Sequence, residues 1–362
     1  MLLSRHRFAL PLFLSIFWAF LTAFQAFGDE KTLPPAPKDS FSIVVIPDTQ
    51  QYRGRGTKSQ PKSTDPVTNA SLEADMRWIL DHRESQNIVF VSHVGDLVDI
   101  NSPDQWEVAR RCIDQLHGHI PYGLAVGNHD MKNNGDCSLF QKYFPASRFT
   151  GLDWYGGTLT EKSVQDPSLE AKCGNNANSF QLFSAGGMDF VALHLECNAP
   201  DAVLHWADGV LEANSQRRAM VTTHMGLGPI KKPETRDDFI HAPKGRMEWS
   251  KCFGKEGNTP QQMWDKCFRK HANLFVIWSG DQSRTETMHQ ASPNDQGKTV
   301  YEVLTDYDAG WLRVCRFVPK ENKIHLWTVD SRTGVLCHGT KYAPKVSEHN
   351  FSLEYDMTGT AP

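Results

Sequence analysis

Short apolar runs alternate with stretches of helical periodicity along most of this chain. Residues 41–46 read Phe-Ser-Ile-Val-Val-Ile and stop at Pro47-Asp48, which predicts a buried strand. Within 69–84, Leu72, Met76, Ile79 and Leu80 recur at helical spacing. Residues 88–94 predict a second strand ended by Gly95, and 122–126 a third ended by Gly127. Between them, 103–116 predicts a helix with Pro103 in its first turn. This β-α-β-α-β order is that of an α/β fold, a sheet covered by helices. Farther on, strands are expected over 180–183, 190–195 and 219–223, with a helix over 202–214. A helix over 261–270 feeds a strand over 274–278, and strands over 300–304, 312–317 and 324–329 close the pattern. No repeat or linker divides residues 41–340, so a single domain is expected there, followed by a C-terminal tail over 341–362. The polar stretches 53–66 and 225–259 predict long surface excursions, which in a compact domain often serve as lids or binding loops.

The N-terminus differs in kind. Arg5 and Arg7 precede an apolar stretch over 8–24, and Ala26-Phe27-Gly28 gives small residues at a cleavage spacing. Residues 1–28 therefore read as a secretory signal peptide, with an uncleaved membrane anchor as the competing reading. Pro34, Pro35 and Pro37 make 29–40 an extended linker. A secreted or periplasmic protein follows, membrane-bound only if the leader stays. Cleavage removes two of the 38 basic residues and none of the 42 acids, taking the net charge from −4 to −6. A mildly acidic protein is a poor general binder of nucleic acid, which needs a basic face. All eight cysteines lie beyond the leader, and an even count behind an export signal permits disulfides. Cys252 with Cys267 and Cys315 with Cys337 are the local candidates, buried free thiols the alternative.

Four strings carry the chemistry: Asp48-Thr49-Gln50, Gly95-Asp96-Leu97-Val98-Asp99, Gly127-Asn128-His129-Asp130 and Thr223-His224. Each follows a predicted strand, and in α/β sheets ligands bind beyond the carboxyl ends of strands. Alone, Asp48 reads as a turn cap and Asn128 as a left-handed turn residue. Together, the strings aim hard oxygen ligands and an imidazole at one rim, a set suited to two divalent metals. His93, within an apolar strand, is expected to be a satisfied core histidine, and His194 and Glu196 structural.

These strings resemble the calcineurin-like metallophosphoesterase superfamily, whose pattern is Asp-x-His, Gly-Asp-x-x-Asp, Gly-Asn-His-Asp/Glu, a single His, then Gly-His-x-His. The resemblance runs from Ile43 to about Val329. It implies a four-layer αββα sandwich of two mixed sheets flanked by helices. It also implies a metal-dependent phosphoesterase with two divalent ions (Mn, Fe, Mg or Zn) that activate a bridging hydroxide. Carried over by position, Asp48 and Gln50 would hold the first metal, Asp96 would bridge, and Asn128 and His224 would hold the second. His129 would assist the leaving group, Asp130 would orient His129, and Asp99 would brace the Asp96 loop. Gln50 stands where the pattern has His, a Pro-Asp-Thr-Gln form that similar secreted bacterial branches share. The last string reads Gly280-Asp281-Gln282-Ser283. Asp281 keeps a ligand for the second metal, while Ser283 leaves the first one short, with water, Gln282 or His289 as replacements. Tyr52, Arg53 and Arg284 are candidate substrate contacts, and Arg313 a phosphate contact or surface pair. The expected partner is a small-molecule or surface phosphate ester. The altered last string motivates an alternative, a degenerate member that binds a phosphorylated ligand without cleaving it.

Overall fold

The computed structural model describes residues 31–132, 135–160, 162, 167–307 and 310–359. The predicted leader over 1–28 lies outside the described residues. No helix among the described residues is long and apolar enough to cross a membrane.

Two mixed sheets face each other. The first runs in the order β15-β14-β13-β1-β2-β3, from strands β1 (Phe41–Ile46), β2 (Ile88–His93), β3 (Tyr122–Leu124), β13 (Trp311–Val318), β14 (Lys323–Asp330) and β15 (Phe351–Glu354). The second runs β11-β12-β10-β7-β6-β5-β4, from β4 (Tyr155–Thr158), β5 (Ser179–Ala185), β6 (Met188–Leu195), β7 (Arg218–Met225), β10 (Leu274–Gly280), β11 (Thr287–Pro293) and β12 (Thr299–Thr305). In the first sheet β1, β2 and β3 run parallel; in the second, β6, β7, β10 and β12 do.

Alternation along β1 shows how the layers form. Phe41, Ile43 and Val45 enter the core between the sheets with Phe90, Phe190, Val276 and Phe317. Val44 and Ile46 point the other way, into the helical layer with Leu72, Met76 and Trp106. Both faces are buried, so the strand reads as an unbroken apolar run. Phe41 stacks on Phe317 at 4.8 Å and meets Phe190 edge-on at 5.8 Å, locking sheet to sheet. Helices α1 (Ala70–Asp81) and α2 (Pro103–Ile113) cover the first sheet, and helix Asp201–Ala213 covers the second. The result is the expected αββα sandwich.

Caps tie the helices to the rim where the motifs gather. Asn69 accepts a hydrogen bond from Leu72 N at the start of α1 and donates through Nδ2 to Thr49 O at 2.7 Å. Gln105 of α2 accepts from Asp99 N and Ile100 N.

Three expectations need correction. Residues 341–359 are not a free tail: β15 pairs with β14, Tyr355 stacks on Phe275 at 4.3 Å, and Arg218 donates to Asp356 O. Edge pairing and a guanidinium that needs acceptors hold that segment to the body. The described part of the linker is fastened to the body, because buried Arg316 donates to Pro34 O at 2.6 Å and Thr32 bridges to Val335. The excursion over 225–259 is not purely surface. It contains a two-stranded sheet, β8 (Leu227–Pro229) with β9 (Lys244–Arg246), and buries Met247.

All eight cysteines are buried free thiols. Neither local pair is bonded. Cys315 points into the core between the sheets, and Cys252 lies against Cys197 at the end of β6 rather than Cys267.

Candidate metal centre

The parallel strands of both sheets end at one rim. Asp48 lies two residues past β1, Asp96 three past β2, Asn128 four past β3, and Asp281 one past β10. His224 is the penultimate residue of β7. Glycines let these groups approach. A Cβ on Gly127 would sit 2.1 Å from Asp96 Oδ1, and one on Gly280 would sit 2.2 Å from Asp48 Oδ1. Any other residue there would push a carboxylate out of place.

Asp48, Asp96 and His224 are buried, and one potential ligand atom from each lies within 4.8 Å of the others. His224 Nε2 is 3.2 Å from Asp96 Oδ1, 3.5 Å from Asp281 Oδ1 and 3.9 Å from Asp48 Oδ2. Its other ring nitrogen, Nδ1, donates to Val94 O at 3.1 Å, which turns Nε2 toward the carboxylates. Gln50 Nε2 lies 2.7 Å from Asp96 Oδ2, and a half-turn of that amide would present its oxygen at the same place. Two buried polar atoms at this rim, Asn128 Oδ1 and His224 Nε2, make no hydrogen bond of good geometry, the second although carboxylate oxygens face it. Buried polar atoms are seldom left so. Both are ligand-type atoms, and together with three carboxylates they fit a divalent cation.

The electrostatics point the same way. Burial, then the neighbouring Asp306 carboxylate, pushes the Asp48 carboxyl well above its usual range. Burial likewise raises Asp306. Burial works against the charge on Asp281, but Lys251 and then His224 outweigh it and hold the carboxyl down at about 2. For His224, burial disfavours the proton, yet Asp96 and Asp48 more than compensate and hold its pKa well above the ordinary value. A crowd of carboxylates draws positive charge to its middle, whether as a proton or as a metal ion.

The geometry exchanges the roles expected for two acids. Asp130 does not orient His129. Its carboxylate accepts from Gly127 N at 2.8 Å, Val98 N at 3.1 Å and Leu97 N at 3.2 Å, so it stitches the Asn128 loop to the Asp96 loop. Asp99, expected to brace that loop, instead holds His129: its carbonyl oxygen accepts from His129 Nδ1 at 2.7 Å. Replacement of Asp130 by Ala would strand three buried N–H groups at ~1–3 kcal/mol each. Asp130→Ala is therefore expected to lose ~3 kcal/mol or more of stability by urea unfolding and to weaken metal binding. An unchanged midpoint would contradict the stitching role.

Other candidates divide. Tyr52 is a core residue, buried with its hydroxyl donating to Leu97 O at 2.7 Å, and so no substrate contact. Arg53 is exposed and pairs through its backbone with Thr68. Arg284 lies over the Phe239 ring. Arg313 is neither a phosphate contact nor a surface pair. It is fully buried and donates to Thr305, Thr287 and His349 O. His289 is taken up by stacking on Phe351. His93 is satisfied by Thr49 Oγ1 and Gly95 N, as expected for a core histidine. His194 meets Ser92 Oγ at 2.9 Å.

Three charged neighbours escaped the sequence reading. Lys58, carried in by the 53–66 excursion, donates to Asp99 Oδ1 at 2.6 Å and lies 3.4 Å from His129 Nδ1. Lys251, from the other excursion, forms an ion pair with Asp281. Neither follows a strand or belongs to a motif. Asp306 directly follows β12 and was open to the same strand-end rule as the others.

Comparison with known proteins shows what the chain is similar to. The model of the calcineurin-like phosphoesterase family matches residues 41–251. The uncharacterized protein YvnB of Bacillus subtilis (strain 168) is 25% identical over 333 residues, which span 88% of this chain and 21% of that protein. The chain thus spans about a fifth of that relative's length. Among solved structures, a 5'-nucleotidase precursor from Thermus thermophilus aligns with 87% of this chain and 54% of its own, at 13% identity and a TM-score of 0.45. The NAD nucleotidase of Haemophilus influenzae aligns with 80% and 48%, at 11% identity and a TM-score of 0.44. With the family match covering more than half of its length, the chain belongs to the calcineurin-like phosphoesterase family, a family of metal-dependent phosphoesterases.

Proposed function

We propose that this chain is an exported hydrolase of phosphate monoesters or diesters that works with two divalent cations. The observation that carries this reading is the gathering of ligand atoms from buried Asp48, Asp96 and His224 within 4.8 Å of one another, with the unpartnered Asn128 Oδ1 on the loop whose His129 N–H donates to Asp96. Asp48 and Gln50 would hold the first ion, Asp96 both, and Asn128, His224 and Asp281 the second. Such a pair of ions neutralises charge on the phosphoryl oxygens and activates water for in-line attack.

The chain's own groups do the rest. His129, anchored through Nδ1 on Asp99 O, keeps Nε2 available to hold a proton for the departing oxygen. Lys58 beside it adds positive charge where the phosphate would lie. Asp130 holds the two ligand loops in register. Export rests on the leader-like residues 1–28.

The folded protein is expected to hydrolyse a chromogenic phosphate ester with added Mn, to lose at least ~99% of that rate in chelator and to regain it when metal returns. A well-folded sample that turns over no mono- or diester with any divalent metal would defeat the hydrolase reading and favour a ligand-binding member.

A further inference from the structure

In the family's pattern the string after β10 supplies two histidines, whereas this chain has Asp281 and Ser283. The two side chains named from sequence as replacements are engaged elsewhere. Gln282 donates through Nε2 to Asp281 Oδ2 at 2.7 Å, and His289 stacks on Phe351. A different residue stands at the gap. β12 runs parallel to β10 with Leu304 opposite Ser279, and continuing that register sets Asp306 opposite Asp281. The Asp48 carboxylate lies directly over the end of β10, since Oδ1 occupies the space a Cβ on Gly280 would take. Asp306, on the adjoining strand end, therefore lies at the same rim as Asp48. It is only 4% exposed, and its main chain is fixed by donation from Asp306 N to Glu286 O at 2.8 Å.

We infer that Asp306 is a ligand of the first metal and takes the place that Ser283 vacates. This rests on the two-metal reading above. It accounts for an acid buried beside Asp48, Asp96 and Asp281, with Lys251 and His224 the cations named near it: buried carboxylates are costly unless paired, and two divalent cations balance four. The first site then consists of oxygens alone, from Asp48, Gln50, Asp96 and Asp306. Such a donor set favours Mn or Mg over Zn.

The test is metal content and affinity, read by elemental analysis after dialysis and by Mn titration calorimetry on the full chain. Wild type is expected to hold two ions. Asp306→Asn is expected to keep one and to bind the other at least ~10-fold more weakly, with the loss reversed in Asp306→Asn/Ser283→His. Two ions held at wild-type affinity in Asp306→Asn would overturn the inference while leaving the hydrolase intact. Fewer than two in wild type under Mn excess would overturn the two-metal reading itself. Mn-soaked crystals of wild type decide the matter if the variants do not fold: an Asp306 oxygen ~2.2 Å from the first ion supports the assignment, and any other ligand there overturns it.

Discussion

Asp96→Asn is expected to abolish the metal pair and to cut kcat/KM by ~1,000-fold or more, equivalent to ~4 kcal/mol of transition-state stabilisation. Asp96 is the carboxylate on which the cluster turns. Its Oδ1 accepts from His129 N at 2.8 Å and faces His224 Nε2, while Oδ2 lies against Gln50. In the proposed site it is therefore the acid placed to serve both ions. Its backbone is left-handed, with φ at 52°. Asn adopts that conformation readily, so the substitution removes charge without disturbing the turn. The fold is expected to survive by circular dichroism while metal content falls. A variant that kept two ions and worked within tenfold of wild type would remove Asp96 from the bridging position.

Legibility in the sequence followed burial. β1, β2, β7 and β10 are buried on both faces, and each announced itself as an apolar run. The unforeseen strands lie at edges. β11 (Thr-Met-His-Gln-Ala-Ser-Pro) alternates between half-buried and exposed residues, and β4 (Tyr-Gly-Gly-Thr) is half-buried with two glycines. Neither carries enough apolar signal to stand out. The site divides in a similar way. Polar residues just past strand ends were legible because the strands were, and this covers Asp48, Asp96, Asn128 and Asp281. Side-chain direction was not legible. Around the tight turn at 127–130 the backbone decides which neighbour faces His129, so Asp130 and Asp99 exchanged roles. Tyr52, two residues past Gln50, points into the core for the same reason. Lys58 and Lys251 reach the site from aperiodic loops, where no pattern marks the residue that will turn inward.

His129→Ala is expected to lower kcat by ~100- to 10,000-fold while leaving both ions in place. The two halves of that expectation come from different atoms. The main-chain N–H of His129 donates to Asp96 Oδ1, and Ala preserves that bond. The ring is anchored only by Nδ1 on Asp99 O, with Lys58 alongside, and its side chain is 31% exposed toward the open rim. Truncation thus removes a proton donor without removing a ligand or a structural bond to the metal cluster. Leaving-group dependence separates this role from simple packing. An aryl phosphate that departs as a weakly basic phenolate needs little protonation, so its hydrolysis should suffer least. An alkyl phosphate, which departs as a strongly basic alkoxide, should bear the full loss. Equal losses on both substrates, with two ions still bound, would mean that His129 steadies charge on the phosphoryl group rather than delivering the proton.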